Sequence, residues 1–111
     1  MRSHPYLKRL YRQYNRKYFG GQLPNICVRF GNAQAMKQAG VPRGTLAATL
    51  LSNGKPYAIV IRDYANKSWR YIKADLLHEL VHVAHPRADH GPVFENEMKR
   101  LANLGAFKGV W

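Results

Sequence analysis

Ala74-Asp75-Leu76-Leu77-His78-Glu79-Leu80-Val81-His82-Val83-Ala84 is the stretch from which the rest of the chain is read. It holds the spacing H-E-x-x-H at His78, Glu79 and His82. On an α-helix, residues four apart lie one above the other on one face. His78 and His82 therefore aim two imidazoles at one point, and Glu79 sits beside that point, off the histidine stripe. A hydrolytic zinc site needs this set: two neutral nitrogen ligands, and a carboxylate near enough to take a proton from water. The remaining positions, Leu76, Leu77, Leu80, Val81, Val83 and Ala84, are apolar nearly all round, as in a buried helix. Polar groups inside such a helix must be paired or metal-bound, because unpaired ones cost several kcal/mol. The plainer reading is a chance match whose histidines hydrogen-bond within a core.

The 111 residues suit one domain, 1–111, with a single modest core. Hydrophobic content of 46% is that of an ordinary folded domain. One cysteine, Cys27, excludes an intrachain disulfide framework and a four-cysteine zinc site. A reducing, cytoplasmic location fits that usage. There is no run of about 18 apolar residues, so no membrane span is expected. The charged, aromatic N-terminus does not read as a signal peptide.

Charge is distributed unevenly. From Met1 to Arg62 there are 11 basic residues and no acidic one; from Asp63 onward 7 basic residues face 6 acidic ones. The excess of positive charge thus belongs to the first half. Such asymmetry suggests an anionic partner, most simply DNA. The alternative is a basic protein kept soluble by its charge.

Along the chain, Pro5 to Phe19 reads as a helix. Leu7, Leu10, Tyr11, Tyr14 and Tyr18 recur at helical spacing, and Pro5 suits the first turn. Arg9, Arg12 and Arg16 share another face, with Lys8 and Lys17 nearby; these five are the candidate nucleic-acid contacts. Gly20-Gly21 ends the helix. A strand follows at about Ile26 to Phe30, and Ala33 to Ala39 is either a short helical turn or a loop. Thr45 to Leu51 and Tyr57 to Arg62 read as a hairpin around Asn53-Gly54, the favoured tight-turn pair. Asp63 to Lys67 connects to the motif helix, about Ser68 to Ala84, which Pro86 stops. A last helix runs from about Pro92 to Leu104, with Phe94, Met98, Leu101 and Ala102 as its apolar stripe. Gly105 closes it before the tail that ends in Val110-Trp111. The order predicts an α+β fold with a small three-stranded, mostly antiparallel sheet.

Zinc needs a third protein ligand and an open position. His85, Asp89, His90, Glu95 and Glu97 are the candidates. His85 diverges from the His78–His82 stripe and abuts Pro86. His90 precedes the last helix and is followed by Gly91, where the chain can turn back sharply. Metzincin spacing would need a histidine at Ala88 and a glycine at His85, so that family is excluded.

His78-Glu79-Leu80-Val81-His82, then Asp89-His90-Gly91-Pro92-Val93-Phe94 and Met98, resembles the SprT-like metalloprotease domain, the family of the Spartan proteases. The related WLM proteases are close in pattern. The shared pattern is H-E-x-x-H, a short connector, H-G-x-x-F and a methionine soon after. Tyr18-Phe19-Gly20-Gly21-Gln22-Leu23-Pro24 is similar to the family's start. The His82–His90 connector is nearer to WLM spacing than to that of many SprT proteins, and no C-terminal zinc ribbon is expected. The resemblance implies a minimal zincin-like fold. It implies Zn2+ held by His78, His82 and His90, with Glu79 as catalytic base. It also implies a protein or peptide substrate associated with DNA.

Two other classes fit the same residues: a nucleic-acid-binding module in which zinc only holds the fold, and a protease-like adaptor binding a protein through its sheet edge. Glu79 separates them from an enzyme, since a structural site has no need of a carboxylate there. Oligomeric state is not legible in the sequence.

Overall fold

The first helix, α1, spans Pro5–Phe19. Its start is capped by His4, whose Nδ1 accepts from the Leu7 N–H, and Gly20 closes it in the left-handed region at φ 62°. Leu7, Leu10, Tyr11 and Tyr18 are buried, as their helical spacing predicts. The Tyr11 hydroxyl donates to the Pro24 carbonyl at 2.6 Å, and Asn15 brackets the Leu23 peptide from both sides. These bonds turn the chain back along α1 and into the first strand. The computed structural model describes residues 2–63, 68–88 and 90–109.

Strand β1 is Cys27–Gly31, followed by the short helix α2, Ala33–Gln38. The hairpin strands are β2, Ala47–Ser52, and β3, Lys55–Arg62. Asn53 and Gly54 both carry positive φ, 53° and 77°, as a type I′ turn requires. Helix α3 is Trp69–Ala84 and α4 is Pro92–Asn103. The fold is α+β, with four helices and one three-stranded sheet among the described residues. None of these helices is long and apolar enough to cross a membrane. Residues 64–67 of the expected connector, Asp89, and the Val110-Trp111 tail lie outside the described residues.

The sheet is mixed rather than mostly antiparallel. Its order is β1-β3-β2, with β1 parallel to β3 and β2 antiparallel to β3. The hairpin fixes the second pairing locally. The first depends on where the chain returns after α2, and the hairpin comes back with β3, not β2, against β1. Ala58, Ile59, Val60 and Ile61 of β3 are all fully buried, because this central strand is covered on both faces. Ile59 and Ile61 meet α1 and α3; Ala58 and Val60 meet Met36 of α2.

The two sheet edges differ. The outer edge of β1 is covered: the His4 N–H donates to the Val28 carbonyl at 2.8 Å, and the Val28 N–H donates to Ser3 Oγ at 3.0 Å. Beyond β2 no further strand is placed among the described residues.

Candidate metal centre and cleft

Helix α3 uses each of its faces. Ile72, Leu76, Leu80 and Val83 join the core formed with α1 and the sheet. Leu77 and Val81 meet Phe94 and Leu101 of α4. Burial of each such side chain contributes about 1.5–3 kcal/mol, so α3 is anchored from two directions. His78 and His82 emerge one turn apart on the remaining face. Gly91 and the first turn of α4 bring His90 across to them.

The three Nε2 atoms form a tight triangle: His78–His82 3.2 Å, His78–His90 3.3 Å and His82–His90 3.0 Å. A tetrahedral zinc ion holding nitrogens at about 2.0–2.1 Å spaces them about 3.3 Å apart, so the set fits the ion. Hydrogen bonding alone does not satisfy this triangle. Each Nε2 of a neutral imidazole is either a donor or an acceptor. Three mutual contacts then leave at least one pair facing like to like. A cation accepting all three lone pairs removes that conflict.

Two of the histidines, His78 and His82, are biased toward their neutral, ligating form. Burial, then the neighbouring His78 and His90, push His82 down to about 4. Burial and His90 also lower His78, against a smaller opposing influence of Asp75. Phe94 lies beneath all three rings, with centroids 4.8 Å from His78, 5.0 Å from His82 and 4.7 Å from His90. It is 9% exposed and so acts as the floor of the cluster. Replacement by leucine retains an apolar core side chain but removes that flat support. Phe94→Leu is expected to stay folded and to bind zinc about 10–100-fold more weakly, the range for loss of a ligand-orienting group. Competition with a chromophoric chelator measures it, and unchanged affinity contradicts the role given to the ring.

Glu79 is 5% exposed and points to the opposite side from a solvated carboxylate's preference, toward β2. Thr49 Oγ1 lies 2.9 Å from its Oε1 and 3.3 Å from its backbone carbonyl. Burial drives the Glu79 carboxyl up to about 7; the Thr49 hydrogen bond opposes this and Asp75 adds to it. A cation at the three histidines favours the carboxylate form. Glu79, His78, His82 and His90 all line one open cavity of about 680 Å³, closed on its other walls by Ala47, Ala48, Thr49, Leu51, Pro86 and Ala88.

The other candidates for third ligand have different places. His85 caps α3 and its Nε2 lies 3.3 Å from Glu97 Oε2. Glu97 is held by Arg100 through two contacts of 2.7 and 3.1 Å, and Arg100 also donates to the Tyr18 carbonyl at 2.7 Å. Hydrogen bonding to Arg100 keeps the Glu97 carboxyl below the usual range. This network ties the ends of α1 and α3 to α4. Glu95 is exposed on α4.

Of the five basic candidates, Arg9, Arg12, Arg16 and Lys17 are exposed. Lys8, Arg9, Arg12 and Arg16 line one groove with Ser3, Pro5 and Gln13, whereas Lys17 lies over the Tyr18 ring. Lys8 is already engaged: its ammonium donates to Asn25 Oδ1 and to the Ile26 carbonyl. Its role is to fasten α1 to the entry of β1, and the three arginines carry the free charge. The chain is thus an α+β domain bearing a three-histidine cluster that fits a metal ion, beside a buried glutamate. No protein-family model, curated protein or solved structure matches it.

Proposed function

We propose that the protein is a zinc-dependent endopeptidase of the SprT-like, zincin-like kind, acting in the cytoplasm on proteins associated with DNA. The observation that supports this best is the joint placement of three converging Nε2 atoms and a buried carboxylate in one cleft. His78, His82 and His90 would hold Zn2+. The ion supplies Lewis acidity, which makes water nucleophilic near neutral pH and polarises a carbonyl. Glu79 takes the proton of the attacking water and returns it to the departing amide nitrogen. Leu51, Ala47 and Ala48 give the cleft an apolar wall against which an extended peptide can lie. An ion that merely holds the fold has no use for Glu79 at this place. Purified protein should contain one zinc per chain and cut an unfolded polypeptide; zinc with no hydrolysis favours the non-enzymatic module.

The DNA partner rests on charge. The exposed arginines of α1 belong to a half-chain without one acidic side chain. Such a surface binds phosphates by releasing counterions, so affinity falls steeply with salt and depends little on sequence. Arg9, Arg12 and Arg16 changed together to Glu should abolish binding to a mixed-sequence duplex while leaving zinc content intact. Equal binding by variant and wild type near about 50 mM salt, where these contacts are strongest, rejects α1 as the DNA face.

A further inference from the structure

Thr49 lies thirty residues before the motif helix contact it makes, yet it touches Glu79 twice. Its shorter contact, 2.9 Å, is to the carboxylate oxygen Oε1. Its backbone has a second relation to the cleft. The Arg62 N–H donates to the Leu46 carbonyl at 2.8 Å, so those two residues form a hydrogen-bonded pair of the β2–β3 ladder. In an antiparallel ladder such pairs alternate with pairs whose amides point away. With Ala48 opposite Val60 and Leu50 opposite Ala58, the inward bonds fall to Ala48 and Leu50. Ala47 and Thr49, opposite Ile61 and Ile59, therefore turn their N–H and C=O groups to the open edge. Both residues line the cavity that holds the histidines.

We infer that Thr49 is a positioning residue that joins the two halves of the reaction. Its hydroxyl holds Glu79 Oε1 and so orients the carboxylate, leaving Oε2 to take the proton. Its backbone N–H and C=O, on the same residue, pair with the main chain of an extended peptide added to β2. The peptide bond to be cut is thereby referenced to the base through one side chain and one strand position. The inference rests on the reading of Glu79 as the base. A packing role alone does not need the hydroxyl: valine has nearly the same shape and an equal preference for strands. Strand addition by main-chain hydrogen bonds predicts that the peptide's affinity survives loss of the hydroxyl, while the chemical step does not.

Thr49→Val and Thr49→Ser separate these roles. Thr49→Val should fold and bind zinc as wild type does. Its kcat should fall about 10–100-fold, the range for loss of an orienting hydrogen bond at a metal site, with KM within about twofold. Thr49→Ser, which keeps the hydroxyl, should recover most of that loss. A readout independent of activity comes from the zinc-free protein. The chain has three glutamates, Glu79, Glu95 and Glu97, so selective carboxyl-13C labelling gives three resonances, and Glu79→Gln identifies one of them. That resonance should move in Thr49→Val and stay in Thr49→Ser. The inference is overturned if the resonance is unmoved in Thr49→Val, if kcat stays within about twofold of wild type, or if serine fails to rescue. A wild type that cuts no peptide overturns the reading of Glu79 as base, while the carboxyl resonance still decides whether Thr49 holds it.

Discussion

Glu79→Gln is expected to give a folded protein that keeps its zinc and loses peptide hydrolysis by about 10²–10⁴-fold, the usual contribution of a general base. The amide copies the shape of the carboxylate and can still accept from the Thr49 hydroxyl. It cannot take a proton at the pH of the reaction. Because burial raises the carboxyl of Glu79 to about 7, its ionised form is the costly one in the zinc-free fold. The neutral amide removes that cost, so zinc-free Glu79→Gln should unfold at or above the wild-type temperature near pH 8. Single-turnover cleavage of an unfolded polypeptide and thermal unfolding measure the two effects. If the variant cuts as fast as wild type, with contaminating peptidases excluded, Glu79 is not the base.

His90→Ala has the second large effect, on metal affinity. Structural zinc sites with four protein ligands bind by about 10–16 kcal/mol, or roughly 3 kcal/mol for each ligand. Loss of one imidazole should weaken zinc by about a hundredfold or more. His78 and His82 remain on α3, so the helix itself should persist. His85→Ala is the control, since His85 faces Glu97 on the α4 side and not the triangle. It should keep zinc and lose only its part of the helix-end network. Metal retained in His90→Ala but lost in His85→Ala would show that the ligand set is misassigned.

What could be read from the chain was what is local. The bounds of α1 and the Asn53-Gly54 turn follow from caps, spacing and turn chemistry, and the structure has them where expected. The His78–His82 pair is local too, one turn of helix apart. His90 was different: spacing left it among five candidates, and only the packing of α4 on α3 brings its nitrogen to the pair. The parallel β1–β3 pairing was not legible, because it depends on the path of the whole segment between the two strands. In the sequence Lys8 is one more basic residue of α1; its hydrogen bonds to Asn25 and Ile26 depend on the turn after the helix folding back along it. Thr49 was missed altogether. Its signal was faint: one hydroxyl amid Ala47-Ala48 and Leu50-Leu51, on a strand otherwise made for a core.

The unequal sheet edges bear on how this protein behaves in a crowd of its own kind. An edge with free amides and carbonyls accepts any extended chain, another copy's β2 included. Its neighbours Leu46 and Leu51 are nearly half exposed and add no charge to repel such a visitor. The formal net charge of +12 opposes such pairing, a repulsion that acts over about 10 Å at 0.1 M salt and contracts as salt rises. Ionic strength therefore works on this molecule in two opposed senses. On the proposed reading of α1 as a DNA face, salt loosens that grip and at the same time lowers the barrier to strand-to-strand association, so the conditions that weaken nucleic-acid binding are those in which colloidal stability is least.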